Sequence, residues 1–415
     1  QVAVDAPALG MTVTGLQSER LVVTDDGTGV GAAMVECLAK RGIQASLVAE
    51  VPADATGVIF LGGLAQPASI EAALEINHNA FAAAKAAAKT LSTRGLFVTV
   101  QDTGGRFGLS DFQPLHAWTA GLAALARTVA QEWPNTSVKA IDIERGDRSA
   151  ETLAEALVSE LVAGGPEREV GLTVDNHRIT LQDKAEPANP GPARLTAEDV
   201  VVVSGGARGV TAATIIALAK QTRAHFALLG RTPLQAEPAC CANATDDASL
   251  KRALLAEARA QGTMPKPADL GRKVRQILAG REIQATLAAL KAIGSPAQYI
   301  SVDVTNAEQV HAELDTIRNT WGPITGLIHG AGVIADKRII DKTPEDFRWV
   351  FETKIAGLRA LLAATEAHPL KVLCLFSSVA ARCGNLGQCD YAMANEVLNK
   401  VAIAEQQRRG SQCRV

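Results

Sequence analysis

Val201-Val-Val-Ser-Gly-Gly-Ala-Arg-Gly-Val-Thr211, running on from Ala212 to Lys220, decides the fold. Three valines and a serine read as a buried strand, the glycines as a tight turn, and the apolar run that follows as a helix. The same grammar occurs 180 residues earlier, in Leu21-Val-Val-Thr-Asp-Asp-Gly-Thr-Gly-Val-Gly31 followed by Ala32 to Lys40. Even the helix ends agree, with Leu38-Ala39-Lys40 falling on Leu218-Ala219-Lys220. Self-similarity at that offset implies two consecutive Rossmann-like units rather than one large sheet.

Outward from these two turns, short apolar runs alternate with helical patterns. Val58 to Leu61, Leu96 to Val100 and Lys139 to Ile143 read as strands of the first unit. Val200 to Val203, Phe226 to Leu229, Gln298 to Val302, Gly326 to His329 and Val372 to Phe376 read as strands of the second. Such alternation predicts an α/β fold of two doubly wound parallel sheets with right-handed crossovers. The Pro-rich stretch from Asp183 to Arg194 continues neither element, which sets the expected division at 1–188 and 189–415. About 233–296 reads as a helical insertion in the second unit, with helical spacing over 248–262, 270–279 and 282–293.

Composition narrows the function. Forty-seven percent of the 415 residues are hydrophobic and only 4% aromatic, the texture of buried parallel strands under alanine-rich helices. With 41 basic and 44 acidic residues the net charge is −3, which recommends neither a nucleic acid nor an anionic membrane as partner. No apolar run reaches transmembrane length and no signal peptide is read, so a cytoplasmic protein is expected. The chain opens with Gln1, as would a segment of a longer polypeptide. Its seven cysteines are scattered without a CxxC pair, so reduced thiols and no metal site are expected, with Cys383 and Cys389 flanking Tyr391.

The second glycine turn carries the chemistry of a nucleotide site. Gly205, Gly206 and Gly209 let the backbone turn tightly and approach a pyrophosphate at a helix N-terminus, with Val210 opening the helix. After the next strand comes Leu229-Gly230-Arg231, where an enzyme for the unphosphorylated cofactor would place an acid. Arg231, helped by Arg208, offers cations to a 2′-phosphate instead, which favours NADPH. Asp303 and Val304 end a strand where an adenine amino group could be bound, and His329-Gly330-Ala331-Gly332 ends another with small residues. The first unit has Asp25 and Asp26 where the second has Gly205 and Gly206; two carboxylates there would repel a pyrophosphate.

Only two tyrosines occur in the whole chain. Tyr299 lies in a strand pattern and reads as core. Tyr391 follows a strand that ends in Ser377-Ser378 and a short loop, 13 residues after Ser378, with Asn395 one helical turn beyond.

On the glycine turn, the His-Gly-Ala-Gly strand end, the Ser-to-Tyr spacing and the box Tyr391-Ala-Met-Ala-Asn395, the chain resembles the ketoreductase domains of polyketide synthases. These belong to the short-chain dehydrogenase/reductase superfamily, and the insertion looks most like the polyunsaturated-fatty-acid synthase branch. The resemblance implies a silent structural Rossmann-like subdomain followed by a catalytic one. It also implies a lysine from an earlier helix, matched by Lys354 in Phe351-Glu-Thr-Lys-Ile-Ala-Gly357. The expected roles are Tyr391 as proton donor, Lys354 lowering its pKa, Ser378 holding the carbonyl oxygen, and Asn395 positioning Lys354 or a relay water. The substrate implied is a 3-ketoacyl thioester on an acyl carrier protein, with other synthase domains as partners.

Some positions depart from the family pattern. Thr211 stands where a glycine is usual. Ile334-Ala335-Asp336 keeps only the last residue of the Leu-Asp-Asp fingerprint, and Cys383 takes the place of a tryptophan eight residues before the tyrosine. Together these favour the D (3R) alcohol. The chain also stops before the last strand and substrate loop that the resemblance leads one to expect. Two other readings compete with the enzyme: a catalytically silent brace of a multienzyme, and a free-standing reductase of small alcohols or sugars.

Overall fold

The computed structural model describes residues 1–187 and 194–415, so the expected division at 188/189 lies outside the described residues. The first half contains β1 (Val2–Asp5), β2 (Leu21–Thr24), α1 (Val30–Lys40), β3 (Ser46–Val48), β4 (Gly57–Gly63) and α2 (Ile70–Leu91). It continues through β5 (Gly95–Gln101), α3 (Gly121–Glu132), β6 (Thr136–Ile143), α4 (Ala150–Ala163), β7 (Glu169–Leu172) and β8 (Arg178–Gln182). These strands form one sheet in the order β1-β8-β7-β6-β5-β4-β2-β3. It is parallel from β3 to β7, whereas β8 and β1 add antiparallel at one edge.

The second half begins with β9 (Val200–Ser204), α5 (Gly209–Thr222), β10 (His225–Gly230), α6 (Asp247–Ala260), α7 (Pro267–Ile293) and β11 (Ala297–Ser301). There follow α8 (Ala307–Trp321), β12 (Ile324–His329), α9 (Pro344–Ala364), β13 (Val372–Leu375), α10 (Val379–Cys383) and α11 (Cys389–Arg409). Its five strands are all parallel, in the order β11-β10-β9-β12-β13. The order reverses beside β9, and such a switch point opens a crevice at the carboxyl ends of the strands. Val200 to Val203 are fully buried on both faces, which is why four successive valines hold the centre of this sheet.

The two halves are related but unequal. β3-β2-β4-β5 of the first sheet corresponds in order to β10-β9-β12-β13 of the second. The first has no counterpart of β11 among the described residues. At its glycine turn Asp26 Oδ1 accepts from the Gly31 amide, 3.0 Å away in the first turn of α1. The chain thus places its own buried carboxylate at the helix end where a phosphate would otherwise bind.

The insertion differs from its expected form. The stretches 270–279 and 282–293 are one helix, α7, which passes through Gly280 without a break. Glycine weakens a helix interior by only about 1 kcal/mol, less than the packing on either side supplies. The later part of α7 is the crossover between β10 and β11, packing Ile283 and Leu290 under Val201, Val203 and Phe226. Only its first turns and α6 project, joined by a small core of Cys241, Leu250, Leu254 and Val274.

The halves share a core. Phe81 on α2 stacks on Phe347 of α9 with centroids 4.4 Å apart, and α3 lies along α11. Arg127 on α3 donates to Glu169 within its own half and to the Ala381 carbonyl of α10 across the joint. Among the described residues no helix is long and apolar enough to cross a membrane.

Candidate active site

Three buried groups fix the floor of the crevice. Ser204 at the end of β9 and His329 at the end of β12 are both fully buried, with Ser204 Oγ 2.7 Å from His329 Nδ1. His329 Nε2 faces the Lys354 carbonyl on α9 at 2.9 Å. Burial drives the imidazole down to about 3, so it is neutral at pH 7. A neutral ring that faces a carbonyl through Nε2 must carry its proton there, so Nδ1 accepts from Ser204. Strand end, histidine and helix backbone are thereby locked in line, and Lys354 is presented at a fixed height. In the sequence His329 stands out only as part of the His-Gly-Ala-Gly strand end, and nothing there shows its bond to Ser204.

Lys354 points inward from α9. Its Nζ donates to the Phe376 carbonyl at 2.8 Å and sits over the Tyr391 ring, 5.7 Å from the centroid. Burial lowers the ammonium to about 8. Gly332 makes room, since a Cβ there would lie 3.2 Å from Lys354 Cε.

Tyr391 occupies the first turn of α11, half-buried, with its ring against Ala380, Ala392 and Ala124. Ala124 belongs to α3, so the first half contributes to the small cluster that the tyrosine packs against. Ser378 is the N-cap of α10, where Oγ accepts from the Ala380 amide at 3.2 Å and its own proton remains available to donate. Asn395 Nδ2 donates to the Tyr391 carbonyl at 2.7 Å, and the Asn395 carbonyl accepts from Ser377 Oγ at 3.2 Å. No hydrogen bond joins Asn395 to Lys354 among the described residues. Asn395 Oδ1 is buried with no partner among the described residues, a polar atom suited to a water or a substrate group.

A second buried network holds the loops around Tyr391. Lys342 Nζ donates to Asp390 Oδ2 and to the Ala335 carbonyl, each at 2.7 Å, with both charged side chains almost fully buried. Burial, opposed by Lys342, raises the Asp390 carboxyl to about 6. Glu132, at the end of α3, accepts from the Ile339 amide at 2.8 Å and the Gly387 amide at 3.0 Å. One carboxylate from the first half therefore clasps two loops of the second. Desolvation raises its carboxyl above the usual range.

The residues expected at a cofactor fall into two groups. Gly205, Arg208, Arg231, Asp303, Val304, Gly330 and Ala331 line one cleft of about 820 Å³, open mouth included. Gly206, Gly209 and Val210 do not line it: Gly206 lies buried over Val203, Gly209 starts α5, and Val210 points to solvent at 75% exposure. Gly205 is irreplaceable in this geometry. Its φ is +67°, and a Cβ would lie 2.9 Å from the backbone of Gly330. Arg231 is exposed at the cleft mouth, whereas Arg208 is paired with Glu282 of α7. Asp303 lies just past β11, not at its end, and its Oδ1 accepts from the Thr305 amide at 3.0 Å. Tyr299 is a correction: it is half-buried, lines the same cleft, and donates its hydroxyl to the Thr232 carbonyl at 2.8 Å.

A cleft at the switch point of a parallel sheet, with serine, tyrosine and lysine beyond it, defines a nucleotide-dependent α/β enzyme fold. The KR domain model matches residues 200–414, a little over half of the 415, and the chain belongs to this family of polyketide-synthase-type ketoreductase domains. Over 339 residues, 78% of its length, it is 34% identical to a component of the polyunsaturated fatty acid synthase of Thraustochytrium sp.. Over 285 residues, 67% of its length, it is 31% identical to the polyketide synthase ThaG of Burkholderia thailandensis. It spans only 12% and 4% of those two proteins. In fold it is similar to a ketoreductase domain from the bacillaene assembly line, with TM-score 0.67, 20% identity, all of this chain covered and 81% of that one. A C2-type ketoreductase from a modular polyketide synthase superposes with TM-score 0.61 at 18% identity, covering 95% of this chain and 80% of that one.

Proposed function

We propose that the chain is an NADPH-dependent ketoreductase that reduces a 3-ketoacyl thioester on an acyl carrier protein to the 3-hydroxyacyl thioester. The observation that carries this reading is the Lys354 ammonium held over the ring of Tyr391, beside a cleft mouth that presents Arg231. The first half, 1–188, then acts as a structural unit and 189–415 as the catalytic one. Other domains of a multienzyme synthase are the partners.

The residues fit the cofactor on their own terms. Gly205 clears the backbone approach, the turn amides at α5 suit a pyrophosphate, and Arg231 suits a 2′-phosphate. When bound, NADPH supplies the hydride. Ser378 donates a hydrogen bond to the substrate carbonyl oxygen and orients it. Tyr391 transfers its phenolic proton to that oxygen as negative charge grows on it. Lys354, charged below pH about 8, stabilises the phenolate left behind. Asn395 Oδ1 is placed to hold a water that returns a proton to the site. Asp336, held by Gln388 at 2.9 Å beside the substrate end, supports the D (3R) alcohol as product.

Two outcomes test the assignment. The Lys354 ammonium is depressed to about 8, so kcat should be level below that pH and fall about tenfold per pH unit above it. A Lys354→Met variant should lose that inflection; a native profile flat past pH about 9 would remove the lysine from the mechanism. Arg231→Gln should raise KM for NADPH about 10- to 30-fold through one lost charge-assisted contact, with KM for NADH unchanged. Equal losses for both cofactors would remove Arg231 from the phosphate site.

A further inference from the structure

Helix α7 reaches the glycine turn that cradles the cofactor. Its Ile283 lines the cleft. One turn on, Thr286 Oγ1 donates to the Ala207 carbonyl of the turn at 2.9 Å. Glu282, the neighbour of Ile283, pairs its carboxylate with the Arg208 guanidinium of the same turn. The insertion therefore braces the phosphate loop from outside and sets a negative charge on its arginine. Arg208 and Arg231 both line the cleft, yet only Arg208 has an ion-pair partner among the described residues.

We propose that Glu282 is a built-in competitor for the 2′-phosphate of the cofactor, occupying Arg208 in the free protein and displaced when a 2′-phosphorylated adenosine enters. The proposal rests on reading this cleft as an NADPH site and assigns Glu282 as a residue that sets its affinity and selectivity. Several features make the exchange feasible. Both side chains of the pair are about half exposed, at 49% and 55%, so rupture exposes no buried charge. An exposed pair of this kind is also weak, because water screens it and two long side chains must be held in one geometry. A phosphate dianion binds a guanidinium more strongly than a single carboxylate does, and it would be shared with Arg231. Thr286 keeps the turn backbone in place while the Arg208 side chain changes partner.

The test is calorimetric and needs no turnover. Dissociation constants for 2′,5′-ADP, and for 5′-AMP as the analogue without the 2′-phosphate, would be measured on the whole chain. The variants are Glu282→Gln, Arg208→Gln and the double substitution. Glu282→Gln should bind 2′,5′-ADP about two- to fivefold more tightly, with 5′-AMP unchanged. In the Arg208→Gln background the same change should have no effect, because the competition acts only through that guanidinium. Unchanged or weaker 2′,5′-ADP binding by Glu282→Gln would overturn the proposal. So would equal tightening for 5′-AMP, or tightening that persists without Arg208, since either would mark a general charge effect. If the native chain itself does not prefer 2′,5′-ADP over 5′-AMP, the NADPH reading fails and the competitor with it. A native preference with a silent Glu282→Gln sinks the competitor alone.

Discussion

Replacing Tyr391 by Phe is expected to lower kcat for ketone reduction by about 10²- to 10⁴-fold, the usual contribution of a positioned general acid. That corresponds to about 3–5 kcal/mol of transition-state stabilisation. The ring would stay where it is, because Tyr391 packs against an apolar cluster of Ala124, Ala380 and Ala392. The phenol lies outside the residues that line the cofactor cleft, so the NADPH dissociation constant should change by less than about twofold. Steady-state rates paired with a binding titration separate the two effects. Turnover within about tenfold of native would exclude Tyr391 as the proton donor.

The second large effect is structural. Lys342→Met leaves the Asp390 carboxylate buried without its ion partner, beside Tyr391 and under the loop that carries Asp336. Breaking one side of a buried pair costs about 3–5 kcal/mol, because the remaining charge keeps its desolvation penalty. A urea unfolding midpoint should fall accordingly. The double variant Lys342→Met/Asp390→Leu should recover much of the loss, since it removes both charges together. If Lys342→Met alone cost less than about 1 kcal/mol, the pair would not be what holds these loops.

The parts of the fold written locally are legible in the sequence. The valine run of β9, the glycine turn and the alanine-rich helix are a continuous stretch, and their copy at Leu21 repeats the pattern in order. Ser378, Tyr391 and Asn395 stand out because they sit within one strand–loop–helix passage, and Lys354 because its box resembles that of a known family. The antiparallel edge of the first sheet is not legible: β1, β7 and β8 are four to five residues long, too short for their alternation to register. Helix α7 reads as two pieces because Gly280 and Arg281 interrupt its apolar spacing, while the packing of Ile283 and Leu290 carries the helix through.

Long-range pairs leave no local trace. Ser204 and His329 are 125 positions apart, and Glu132 reaches Gly387 across 255. Lys342 and Asp390 each look like ordinary charged residues until the fold buries them together, 48 positions apart. The one available signal is an acid placed next to Tyr391. Tyr299 reads as core because its strand is apolar; the chain instead brings it to the cleft wall, where Thr232 satisfies its hydroxyl.

Reduction on this chain is expected to join a hydride from NADPH to a proton from Tyr391. Its most direct measurement uses NADPH carrying deuterium at the transferable position, a 3-ketoacyl thioester on an acyl carrier protein, and mass and chiral analysis of the product. The native chain should give a 3R-hydroxyacyl thioester with one deuterium at C3, and Tyr391→Phe should form it about 10²- to 10⁴-fold more slowly. An unreduced substrate with the native chain, or labelled product formed by Tyr391→Phe within about tenfold of the native rate, would overturn this reading.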